Sequence, residues 1–94
     1  MNIRERINIL IEYKGKMPKE MEELTGTDRA SWSNIKRKSI RANTDHIEGV
    51  ISLWPEFSYW ITTGKTIPEA GQISPEIDAK KRELNEDLEA EKAA

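Results

Sequence analysis

Up to residue 64 the apolar residues recur at intervals of three and four, the spacing of one face of an α-helix. Ile3, Ile7, Leu10 and Ile11 form the first such stripe, leaving Arg4, Glu5, Arg6, Asn8 and Glu12 on the outer side. Asn2 is placed to cap this helix, its side-chain oxygen accepting from the unpaired amides of the first turn. Lys14, Gly15 and Lys16 end it. Pro18 suits the start of a second helix, where its missing amide would have had no partner. Glu20, Glu22 and Glu23 put negative charge near that helix's positive end, and Met21 and Leu24 are its expected inward residues. The break at Thr25, Gly26 and Thr27 carries a glycine free to take a positive φ.

A third helix is expected from Arg29 to about Arg37, capped by the Asp28 carboxylate, with Trp32 and Ile35 three apart on its apolar stripe. Lys38 to Ala42 reads as an extended or irregular crossing anchored by Ile40. Asn43 or Thr44 then caps a fourth helix, with Ile47, Val50, Ile51 and Trp54 inward. Pro55 disfavours helix at Trp54 and opens a short fifth one, in which Phe57, Trp60 and Ile61 make the stripe and Gly64 the stop. Between Lys65 and Ser74 the periodicity lapses around Pro68 and Gly71, which predicts a linker lying against the domain. Ser74, Pro75 and Glu76 begin a last helix whose apolar content is thin: Ile77, Leu84 and Leu88. The fold class is therefore all-α: a five-helix domain over residues 1–64, then a linker and helical C-terminal tail over 65–94.

A chain of 94 residues with formal charge −2 supports one core and does not look like a nucleic-acid binder until the charge is divided by region. Residues 1–65 hold eleven Lys/Arg and nine Asp/Glu, or +2, while residues 66–94 hold four and eight, or −4. The front is mildly basic and the tail acidic. Cysteine is absent, which fits a reducing cytoplasm, and no apolar run approaches the ~18 residues a membrane span needs. The expected location is cytoplasmic.

The third helix concentrates the chemistry. Asp28, Arg29, Ala30, Ser33 and Asn34 are short or hydrogen-bonding residues on its polar side, suited to base edges in a major groove. Lys36, Arg37, Lys38 and Arg41 follow without an intervening acid and suit phosphates, and Lys16 and Lys19 are candidate backbone contacts at the front of the second helix. In the order of its helices, the paired helices over residues 18–37 and this cationic exit, the chain resembles the lambda-repressor-like (Cro-type) helix-turn-helix regulators over roughly residues 3–64. The stretch Trp54 to Gly64 looks like the last helix of small phage-type members. Aligned on Gly26, the family's cap position falls on Asp28 and its inward positions on Trp32 and Ile35. Pro18 stands where the family usually has Gln, and Glu22 where it usually has a small Ala.

The resemblance implies a sequence-specific transcriptional regulator, a phage-type repressor that binds an inverted repeat of double-stranded DNA as a homodimer. Phe57, Tyr59 and Trp60 are its expected dimer contacts, with the tail as a further candidate. A second expectation is an antitoxin or adaptor whose acidic tail folds on a protein partner, with DNA binding autoregulatory. An enzyme is not expected. His46, the single histidine, has no Cys or second His for a metal and no nucleophile constellation; it reads as an exposed residue at a helix start. No cofactor or metal is expected.

Overall fold

A computed structural model describes residues 1–37 and 40–93. Six α-helices follow one another: α1 (Ile3–Tyr13), α2 (Pro18–Thr25), α3 (Arg29–Arg37), α4 (Thr44–Leu53), α5 (Ser58–Thr63) and α6 (Pro75–Ala93), with single 3₁₀ turns at Pro55–Phe57 and Pro68–Ala70. The described residues contain no β-strand, so the fold is all-helical. None of its described helices is long and apolar enough to cross a membrane.

The local signals act as the sequence implies. Asn2 Oδ1 accepts from the Glu5 amide at 2.9 Å while Glu5 Oε1 accepts from the Asn2 amide at 3.3 Å, a reciprocal cap that satisfies two orphan donors. Asn43, not Thr44, caps α4, its Oδ1 3.1 Å from the His46 amide. Gly26 closes α2 at φ +80°, a conformation that costs a side chain dearly. Ser74 Oγ accepts from the Ile77 amide at the start of α6.

Ile7, Leu10, Met21, Trp32, Ile35, Val50, Phe57 and Ile61 meet in one core. Four expectations are revised there. Leu24 is 49% exposed; Thr25, four residues on from Met21, takes the inward position instead. Its Oγ1 donates to the Met21 carbonyl, and its methyl is 3.1 Å from where a side chain on Gly49 would begin, so α4 passes close. Ile40 is exposed and anchors nothing, while Ala42 packs on the core. Phe57 is enclosed at 1% exposure and has no surface to offer a second subunit, whereas Tyr59 and Trp60 stay half-buried. Arg6, expected on the outer face of α1, is 8% exposed.

The segment after residue 64 is a strap built into the domain. Ile67 and Gln72 exchange backbone hydrogen bonds, and the Ile73 amide donates to the Glu56 carbonyl at 2.9 Å. Gln72 Oε1 accepts from the Tyr59 amide and the Ser58 hydroxyl, satisfying donors in the first turn of α5 that the helix itself leaves open. Ile73 is then 6% exposed in the core. Tyr13 Oη donates to Asp78 Oδ2 at 2.6 Å, closing the first turn of α6 onto α1. From Ala79 to Ala93 every residue is exposed.

Candidate nucleic-acid interface

Helix α3 turns Trp32 and Ile35 inward and is held on three sides. From α1, Arg4 Nη1 and Asn8 Nδ2 both donate to the Ile35 carbonyl, at 3.0 and 3.1 Å, pairing a C-terminal carbonyl that the helix cannot satisfy. From α4, His46 stacks edge-on against Trp32, ring centroids 4.8 Å apart, and its Nε2 lies 2.7 Å from Ser31 Oγ. From α2, Glu22 reaches across the turn. Its Oε1 accepts from Arg29 Nε and Nη2 at 3.0 and 2.7 Å, and its Oε2 accepts from the Arg29 amide at 2.8 Å.

Glu22 thereby links α2 to the start of α3 through a bidentate ion pair at the surface. The hydrogen bonds from the Arg29 side chain and amide hold its carboxyl below the ordinary carboxylate range, and Glu22 in turn raises the Arg29 guanidinium. The carboxylate meeting the first amide of α3 is that of Glu22. Asp28 supplies its carbonyl to the Ser31 and Trp32 amides.

His46 corrects the expectation of an exposed residue, since it is 1% exposed. Nδ1 accepts from the Asn43 amide at 3.1 Å, so the neutral ring carries its proton on Nε2 and donates it to Ser31. Burial lowers its pKa, with Asp45 nearby opposing. The one histidine is thus a buried strut between α3 and α4.

The proposed site residues separate into groups. Asp28, Arg29 and Ala30 are exposed and Ser33 and Asn34 half-exposed, all on or just before the part of α3 that faces away from the core. Arg37 folds back so that Nε and Nη2 donate to Ser33 Oγ at 3.1 and 2.9 Å. Asn34 makes no side-chain hydrogen bond among the described residues and is free to engage. Lys16, 3.9 Å from Glu20, shares a cleft of about 180 Å³ with Lys36, Met17 and Trp32. Lys19 is exposed on α2. Arg41 lines a different cleft, together with Arg4 and Arg6. Lys38 falls outside the described residues.

Among solved structures the fold is similar to Pf6r from the filamentous phage Pf6 of Pseudomonas aeruginosa PA01, with a TM-score of 0.73 and 30% identity over 81% of this chain and 97% of that one. The chain belongs to the Pf6r family. No protein-family profile matches it, and no curated protein gives a significant match. The Pf6r relationship places the chain beside a phage protein. The positioning residues of this Pf6r-family member, Arg4, Asn8, Glu22 and His46, escape a sequence reading because each acts on a residue at least seven positions away.

Proposed function

We propose that this Pf6r-family protein is a sequence-specific DNA-binding regulator of phage type, a repressor acting as a homodimer on an inverted repeat. The observation that carries the reading is the placement of α3: clamped from α1, α2 and α4, it presents Arg29, Ala30, Ser33 and Asn34 outward with Lys36 and Arg37 at its exit. In this reading α2 and α3 are a helix-turn-helix pair. Arg29, oriented by Glu22, donates to guanine, and Asn34 pairs with adenine. The cations fix register on the phosphates without reading sequence. Two copies would set their α3 helices about 34–36 Å apart, meeting through Tyr59 and Trp60 or along α6, and would block a promoter by occupying it.

Selection from random duplexes at moderate salt, with wild type and Asn34→Ala in parallel, tests the reading. An enriched inverted repeat that Asn34→Ala relaxes at one base pair per half-site is expected. Enrichment of no sequence, with only weak salt-sensitive binding, would overturn it.

The exposure of α6 from Ala79 onward favours a second reading, an antitoxin or adaptor whose tail binds a basic partner. Cutting the chain after Ala79 separates the two, because that cut spares Ile73 and the Tyr13–Asp78 contact. Under the first reading the shortened chain still selects its operator where the dimer meets through Tyr59 and Trp60, and loses it together with the dimer where the contact lies on α6. Under the second it loses its partner.

A further inference from the structure

The start of α1, the approach to α4 and the end of α5 enclose an open cleft of about 710 Å³. Asn2, Arg4, Arg6, Arg41, Ile47 and Thr62 are among the residues that line it. Three arginines line it, no carboxylate does, and none of the three forms an ion pair among the described residues. Their protein partners are neutral. Arg6 Nε donates to the Ile61 carbonyl at 2.8 Å and its Nη1 to the Met1 carbonyl, while Arg4 Nη1 donates to the Ile35 carbonyl at 3.0 Å. The nearest acid on α1, Glu5, is occupied with the Asn2 amide.

A buried guanidinium is normally matched by an anion, because desolvating the charge is costly unless it is paired. Arg6 is 92% buried and is held in place by backbone carbonyls that orient it without neutralising it. Arg4 and Arg41 line the same cleft and keep N–H groups that no described residue engages, and planar guanidinium forks match phosphate oxygens in pairs.

We infer that this cleft binds phosphate, with Arg4 and Arg41 as the direct ligands and Arg6 as the fixed charge behind them. The cleft exceeds a single phosphate and is open, which suits a phosphodiester passing through it. Its position beside the α3 exit makes the backbone of bound DNA the natural source, an assignment that rests on the DNA-binding reading, while a free phosphoester shares the same chemistry.

Two arms of one experiment distinguish the sources. The first measures duplex affinity of the full chain against salt for wild type, Arg41→Gln and Arg4→Gln/Arg41→Gln. Removing one phosphate contact should flatten the slope of log K against log salt by about 0.9. The second follows the arginine Nε–Hε resonances by NMR as inorganic pyrophosphate is added, with thermal unfolding of the variants as the control for folding. Flatter slopes in the variants support the site with DNA as its source. Saturable shifts at Arg4 and Arg41 in wild type, with the Arg6 resonance ceasing to respond in the double variant, support it with a free phosphoester as source, even where wild type binds no duplex and the DNA reading itself fails. Absence of pyrophosphate shifts, together with either unchanged slopes or no duplex binding, overturns it.

Discussion

At the residue scale the informative groups are polar side chains that hold helices together. His46 is held neutral, with Nδ1 accepting from Asn43 and Nε2 facing Ser31, and its pKa is lowered by burial. The unfolded chain therefore takes up a proton near the ordinary value of about 6.5, while the folded chain resists it until a lower pH. Between those two values the unfolded state binds more protons, so stability falls as pH falls. Above about pH 6.5 the contribution is fully present. Thermal unfolding should show a midpoint that drops as pH is taken from 7 to 5. His46→Gln, which retains an acceptor for the Asn43 amide but has no ring to protonate, should flatten that part of the profile. An unaltered profile would mean that another group titrates. The caps at Asn2 and Asn43 were legible because a cap and its target lie three residues apart. The burial of Arg6 and His46 was not: each stands four residues from a core residue, Leu10 and Val50, but a polar side chain reads as outward until the partner that satisfies it is known.

At the element scale the helices follow their local signals, and the segment between α5 and α6 lies against the domain as expected and adds a residue to its core. Residues 65–74 lack periodicity because their contacts are individual: one bridge, one side-chain amide and one core isoleucine. A strap that contributes a core residue should be costly to weaken. Ile73→Ala is expected to destabilise the fold by about 2–4 kcal/mol, within the range for truncating a buried aliphatic side chain. Leu88→Ala, at a position 48% exposed, should leave the monomer nearly unchanged. Urea unfolding checks both, with a lower midpoint and an unaltered m-value expected for Ile73→Ala. A negligible effect there would mean that the strap merely rests on the surface.

At the scale of the whole molecule, a body built from α1 to α5 and the strap carries a long exposed helix, and the principal extents are 47 × 26 × 20 Å. Only the first turn of α6 is fastened: Pro75 and Ile77 pack there and Tyr13 clasps Asp78. Burial disfavours the charge on Asp78, but hydrogen bonds from Tyr13 and Arg82 outweigh it and hold its carboxyl below the ordinary range. Removing residues 80–94 should leave the unfolding midpoint of the monomer unchanged. Sedimentation of the same shortened chain reports on assembly. A dimer that persists rules out residues 80–94 as its contact and leaves Tyr59 and Trp60 as the candidates, and a dimer that disappears places it on α6. A large loss of stability in the monomer would show that α6 supports the body along its length.

The sequence alone determined where the helices begin and end, except that Pro55 opens a 3₁₀ turn and α5 starts only at Ser58, that α3 turns Trp32 and Ile35 inward, and that its outward side is polar with a cationic exit. These properties depend on caps, prolines, glycines and a period of 3.6, which act within a turn or two of chain. Only the tertiary structure decided that Glu22 takes hold of Arg29, that His46 braces α3, that Gln72 completes α5 and that Arg4, Arg6 and Arg41 share one cleft. Such contacts join residues as far apart as Arg6 and Ile61. A buried polar group is acceptable only where a specific partner meets it, and that partner is not defined until the helices have packed.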